Sequence, residues 1–172
     1  MLFAGTSHPT LAREVATYLG WNLASLFLGR FPDGEVEVQV LDNVRGRDVF
    51  VLQTLAGDPD HFLMEMLVLF DALKRASARS ITGVIPYYGY CRQDRKAEGR
   101  APITAKLVAD LIQTAGGTRV VTMDLHAAQI QGFFDIPVDH LDASVIFVPH
   151  IKSLNLPHLT IASPDMGGSY RA

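Results

Sequence analysis

The sequence predicts an α/β protein, with a mostly parallel sheet and helices on both faces over residues 1–141. Asp142-Ala-Ser144 marks a boundary into a second domain at 142–172. Three observations predict this. Short apolar runs at 2–5, 48–52, 81–86 and 119–123 alternate with longer amphipathic stretches, the pattern of βαβ units. Proline near the first turn and glycine past the last turn punctuate the helices. Polar and charged residues cluster directly after the strands, at the edge where open parallel sheets bind ligands.

Taken in order, residues 2–5 form a short buried strand that stops at Gly5. Thr6-Ser7-His8-Pro9 then opens a helix to about Leu19. A strand, a glycine, Ser/Thr and a helix can bind phosphate on the helix N-terminus. Neither Gly-x-x-x-x-Gly-Lys-(Ser/Thr) nor Gly-x-Gly-x-x-Gly occurs, so this segment reads as a structural turn. Residues 23–28 make a strand, and Val36-Glu-Val-Gln-Val40 alternates as a half-exposed strand does. Phe31-Pro-Asp-Gly-Glu35 is the turn between them, with an aromatic ring and two acids at its tip. A ring of that kind can stack on a purine while a carboxylate accepts from an exocyclic amine. Residues 48–52 form the next strand. Asp58-Pro59 caps a long helix that buries Phe62, Leu63, Met66, Leu67, Phe70 and Leu73 as core.

After a strand at 81–86 comes the most polar segment, 87–101, carrying Arg92, Arg95, Lys96 and Arg100 against Asp94 and Glu98. Most charge runs are solvated loops. This one leaves the carboxyl end of a strand, and arginine's planar fork grips phosphate oxygens as lysine's point charge does not. Pro102 opens a helix that Gly116-Gly117 ends, with Leu107, Val108, Leu111 and Ile112 facing the sheet. The strand at 119–123 delivers Asp124 and His126, which as residues two apart point into one cleft. The pair suits a divalent metal or mutual orientation for proton transfer, with a capping Asp beside a solvated His as the alternative. Residues 136–140 form one more strand. In the second domain a helix is expected at 144–153 and a strand at 159–162, ending in Ser163-Pro-Asp-Met-Gly-Gly168.

With 48% hydrophobic and 19% charged residues, the chain can bury a core of ordinary size. A net charge of −3 argues against general nucleic-acid binding. The single cysteine, Cys91, rules out an internal disulfide and suits a reducing compartment. No apolar run reaches transmembrane length, and the start of the chain lacks a signal-peptide pattern. The expectation is a cytoplasmic protein with neither membrane nor nucleic acid as a partner.

The string Asp124-Leu-His-Ala-Ala-Gln-Ile-Gln-Gly-Phe-Phe-Asp-Ile-Pro-Val-Asp139 resembles the signature of the ribose-phosphate pyrophosphokinase family. Further matches follow in the family's order: Phe31-Pro-Asp-Gly-Glu35, Val44-Arg-Gly-Arg47, Arg75-Ala-Ser-Ala78, Arg92-Gln-Asp-Arg95, Pro102-Ile-Thr-Ala-Lys106 and Ser163-Pro-Asp-Met-Gly-Gly168. Two positions depart from the pattern. Asp60-His61 stands where the family usually has Asn-Asp, read as variation without chemical consequence, and Cys91 replaces an alanine.

The resemblance implies a phosphoribosyltransferase-like fold over 1–141, followed at 142–172 by the start of a truncated second domain of the same type. It also implies transfer of the β,γ-diphosphoryl group of ATP to the C1 hydroxyl of ribose 5-phosphate, giving phosphoribosyl pyrophosphate and AMP. By the same resemblance Phe31, Asp33, Glu35, Arg92, Gln93, Asp94 and Arg95 bind ATP, while His126 and Asp165 bind Mg2+. A homo-oligomer is implied, dimer-based and hexameric in the family, in which the loop at 31–35 reaches a neighbouring subunit's site. Family members run to roughly twice this length. Their catalytic Lys-Arg loop and ribose 5-phosphate loop are expected beyond Ala172, so no catalytic residue is assigned and the isolated chain is expected to be inactive. Two other readings stay open: a non-catalytic regulatory partner of such synthases, and a bare nucleotide-binding fragment.

Overall fold

A computed structural model describes residues 1–163, 166 and 168. The chain divides into two units, Met1–Leu141 and Asp142–Ala172. In the first unit, β1 (Leu2–Ala4), β4 (Asp48–Leu52), β5 (Ser80–Ile85), β6 (Arg119–Met123) and β7 (Val138–Leu141) form a five-stranded sheet in the order β1-β4-β5-β6-β7. Every pairing in it is parallel. Strands β2 (Leu26–Arg30) and β3 (Val36–Val40) form a separate antiparallel hairpin.

Alternation along the strands builds two cores, because successive side chains leave opposite faces of a strand. Phe3 and Val51 point to the face that carries α2 (Pro59–Arg75) and α3 (Thr104–Ala115), packing with Met66, Phe70, Val108 and Ile112. Their neighbours Leu2 and Leu52 point the other way, onto Ala12 and Ala16 of α1 (Pro9–Leu19). Helices therefore cover both faces, as expected.

The chain also changes direction across the sheet. From β1 it runs through α1 to Leu23, which bridges in parallel to Leu2. It then returns on the other side of β1 to lay down β4. The crevice between the carboxyl ends of β1 and β4 is thus a topological switch point, where α/β sheets commonly hold ligands.

Several expected bounds shift. Only Leu23 and the residues from Leu26 onward pair, so the strand expected at 23–28 becomes a bridge and then a hairpin arm. Helix α3 starts at Thr104, two residues after Pro102, because Ile103 takes the capping place. On α3 Val108 and Ile112 are buried, but Leu107 is 55% and Leu111 is 38% exposed. The buried stripe instead passes through Ala105 and Ala109, small residues that let the helix lie close to its neighbours. In α2 the acid Glu65 is buried alongside the apolar positions.

The second unit contains α4 (Ser144–Ser153), where expected, with the Asp142 carboxylate accepting from the Ser144 amide at 2.8 Å. Residues 159–162 are irregular. A strand exists only by pairing, and among the described residues of this unit there is no strand to pair with. Asp165 lies outside the described residues.

Candidate functional site

Two loops leave the carboxyl ends of the adjacent strands β5 and β6 and wall a cleft of about 400 Å³. The first supplies Arg92, Gln93, Asp94 and Arg95, and the second supplies His126, Ala127 and Gln129. Parallel pairing of β5 with β6 is what brings residues more than thirty positions apart to one place.

The β5–α3 loop is held from below. Tyr88 is buried, its hydroxyl donates to the Ala105 carbonyl at 3.0 Å, and its ring meets Phe134 edge-on at 5.7 Å. Burial, with the neighbouring Cys91 and Asp110, raises the phenol's pKa far above the usual tyrosine range, so it stays a neutral donor. Gln93 ties the loop to α3. Its carbonyl accepts the Ala105 amide at 3.1 Å, satisfying a first-turn N–H that has no partner within the helix. Its side-chain oxygen also accepts from the Thr104 hydroxyl. Arg92, Asp94 and Arg95 are carried on this fixed point.

The β6 loop has a different support. Strand β6 ends at Met123, and Asp124 takes a left-handed conformation with φ of 46°. The expectation that Asp124 and His126 share a strand face is therefore wrong. Alternation stops where the backbone leaves β geometry, and of the two only His126 lines the cleft. The Asp124 amide donates to the Leu141 carbonyl at 3.0 Å, and the Leu125 amide donates to His140 Nε2 at 3.0 Å. Buried Leu125 and Ile130 pin the loop and the short 3-10 helix Ala128–Phe133 that follows.

Across the cleft, Gln129 Nε2 donates to Asp94 Oδ2 at 3.0 Å. This bond turns the carboxylate toward the amide. Among the described residues no ion pair includes Arg92, Arg95 or Asp94. Two exposed guanidinium groups and an imidazole then face a shared space, an arrangement that favours a polyanion. For a cation, the cleft offers the Asp94 carboxylate and the His126 imidazole. No three His, Cys, Asp or Glu side chains converge among the described residues. That donor set suits a hydrated magnesium ion arriving with phosphate ligands, not one caged by protein.

Phe31, Asp33 and Glu35 lie elsewhere, exposed at the tip of the β2–β3 hairpin and not among the residues lining the cleft. The phosphate loop considered at Thr6-Ser7 is a structural turn. The Thr6 amide and hydroxyl donate to Glu65 at 2.8 and 2.7 Å, and those of Ser7 donate to Gln53 Oε1 at 3.2 and 2.7 Å. Sequence reasoning passed over two positions. Gln129 stood in the signature string unassigned, and His140 carries no local signal, since its role depends on β7 lying beside β6.

A parallel sheet with a cationic cleft at its carboxyl edge places the chain among the α/β proteins whose ligand sites lie at that edge. The family model for the N-terminal domain of ribose phosphate pyrophosphokinase matches residues 1–116. The chain belongs to the ribose-phosphate pyrophosphokinase family. It is 58% identical over 171 residues to the ribose-phosphate pyrophosphokinase of Wolinella succinogenes, covering 99% of this chain and 55% of that protein. The Campylobacter jejuni protein of the same name is 54% identical, again over 99% of this chain and 55% of its own length. The crystal structure of phosphoribosylpyrophosphate synthetase from Mycobacterium smegmatis superposes with a TM-score of 0.87 at 49% identity, over 89% of this chain and 51% of that one. The chain thus spans about half the length of the relatives it matches. Among the described residues no helix is long and apolar enough to cross a membrane.

Proposed function

We propose that this chain supplies the nucleotide-binding part of a ribose-phosphate diphosphokinase. The activity moves the β,γ-diphosphoryl group of ATP to the C1 hydroxyl of ribose 5-phosphate, releasing AMP. Residues 1–141 form the pyrophosphokinase domain, and 142–172 begin a phosphoribosyltransferase-like domain. The observation that carries the reading is the convergence of Arg92, Gln93, Asp94, Arg95 and His126 on one cleft from two sheet-edge loops.

Diphosphoryl transfer depends on in-line positioning and on neutralising charge as it shifts to the leaving group. Arg92 and Arg95 grip the phosphate oxygens through their planar forks. Gln93, tied to the start of α3, fixes the height of that grip over the sheet. Gln129 holds Asp94 so that the carboxylate does not cancel the arginines. His126 and, by the family resemblance, Asp165 would hold magnesium, which would supply further charge neutralisation. Phe31, Asp33 and Glu35 hold the adenine, and the hairpin that carries them serves the site of a neighbouring subunit in a homo-oligomer.

Calorimetric titration with ATP and magnesium at several protein concentrations tests the reading. Apparent affinity should rise with protein concentration, because assembly completes the site. Affinity independent of concentration in a chain that stays monomeric overturns the shared-site arrangement, and absence of ATP binding overturns the function.

A further inference from the structure

The hairpin tip is tied to the body of the first unit through one arginine. Arg30, the last residue of β2, donates one guanidinium nitrogen to the Gly34 carbonyl and brings another against His61 Nδ1. The first contact closes over the turn, where Gly34 has φ of 94° and its amide donates to the Phe31 carbonyl at 2.8 Å. The second reaches the first turn of α2, where the His61 amide donates to the Asp58 cap at 3.3 Å. Beyond the ring, His61 Nε2 stands 3.8 Å from Glu65 Oε2, and Glu65 is buried among Thr6 and Gln53. Contacts therefore lead from the turn to the His61 ring, which stands 3.8 Å short of the polar network at the carboxyl edge of the sheet.

We propose that Arg30 and His61 are positioning residues that aim the hairpin tip at its nucleotide base, through a contact that only the neutral imidazole can make. The proposal rests on the base-holding reading of Phe31, Asp33 and Glu35 given above. A guanidinium donates and never accepts, so Nδ1 must be the unprotonated nitrogen and the proton sits on Nε2, facing Glu65. Protonating the ring puts an N–H against an N–H and a cation against a cation.

The surrounding charges decide which contact then fails. Glu65 and the two acids of the same turn, Asp58 and Asp60, hold an imidazolium in place, while Arg30 repels it. Asp60 is itself fixed by the Tyr90 hydroxyl, and the Phe62 ring packs on the imidazole at 5.0 Å. The ring stays with the acids, and Arg30 with its hairpin is released. Protonation of His61 thus loosens the tip while the sheet stays intact.

Amide exchange at Phe31 and Gly34, followed by NMR and corrected for intrinsic rates, tests the anchor, with β4 amides reporting global folding. In the wild type the tip should exchange at least tenfold faster at pH 5.5 than at pH 7.5. Arg30→Ala should exchange fast at both. His61→Asn, which keeps an acceptor near the Nδ1 position but does not titrate, should be protected equally at both. Wild-type protection in Arg30→Ala, or an undiminished pH effect in His61→Asn, overturns the anchor. ATP titration then separates the two levels of the argument. If Phe31→Ala leaves affinity unchanged, the base-holding reading itself fails. If Phe31→Ala weakens ATP several-fold and Arg30→Ala does not, the positioning role is overturned. Weakening by both supports it.

Discussion

The carboxyl edge of the sheet offers two crevices, and they are built oppositely. Between β1 and β4, at the switch point, polar side chains fill the space and satisfy one another. Gln53 is fully buried, and its Nε2 donates to Glu65 at 2.7 Å while its Oε1 accepts from Ser7. A Cβ on Gly5 would lie 2.2 Å from Gln53 Oε1, so only glycine lets the network close. Between β5 and β6 the charges are left facing a cleft; Gln129 donates across it to Asp94, and among the described residues the acid forms no ion pair with the arginines. A favourable topological address is therefore not enough to make a site. What matters is whether the groups there are consumed by the fold or left for a ligand.

The comparison breaks most visibly at Glu65. Glu65→Ala removes the acceptor of the Thr6 amide and hydroxyl and one of the two acceptors of Gln53 Nε2, which still donates to the Phe62 carbonyl at 3.2 Å. Since an orphaned buried group costs about 1–3 kcal/mol, and exposed Thr6 can turn to water, urea unfolding should show a loss of about 1–3 kcal/mol. A loss below about 1 kcal/mol would mean that water replaces the carboxylate and the crevice is open after all.

The open cleft should behave the other way, with substitutions affecting binding and sparing stability. Arg92→Ala should weaken ATP by about 1.5–3 kcal/mol, the worth of a charge-assisted contact, with the unfolding midpoint unchanged. Arg92→Lys should lose nearly as much, because the fork is gone although the charge remains. Calorimetry showing Arg92→Lys at wild-type affinity would mean that the cleft needs only a positive charge.

The smallest effect is expected at the opposite edge of the sheet, where Asp48 pairs with Arg79 and accepts from the Ser80 hydroxyl at 2.7 Å. The hydrogen bond from Arg79 is the main cause holding the Asp48 carboxyl below the usual range, with Ser80 next. A depressed carboxyl contributes stability above its unfolded pKa, near ~4, and that contribution is lost as pH falls toward the folded value. Both partners are exposed, so solvent weakens the effect. Asp48→Asn should flatten a small part of the stability decline below about pH 4, read from urea midpoints across the acid range. An unchanged acid slope would show that the pair carries no net stability.

Local pattern determined a great deal by itself. Strands 48–52 and 119–123 were legible because β-branched apolar runs have few other uses, and the start of α2 because Asp58 and Pro59 act within a few residues. Phosphate chemistry by itself singled out the arginines of the 87–101 segment, whereas Gln93, Asp94 and His126 were nameable as site residues through the resemblance of their strings to the family's. Tertiary structure alone decided which of them meet. Parallel pairing of β5 and β6 placed them in one cleft, while the left-handed turn at Asp124 removed that residue from the face it was expected to share. The same holds for Glu65, a charged residue on a helix whose apolar stripe hides it. Its burial depends on Thr6 and Gln53 arriving from two strand ends 59 and 12 positions away, and no local pattern carries that distance. Periodicity and capping act through neighbours in sequence, whereas a site is assembled by neighbours in space.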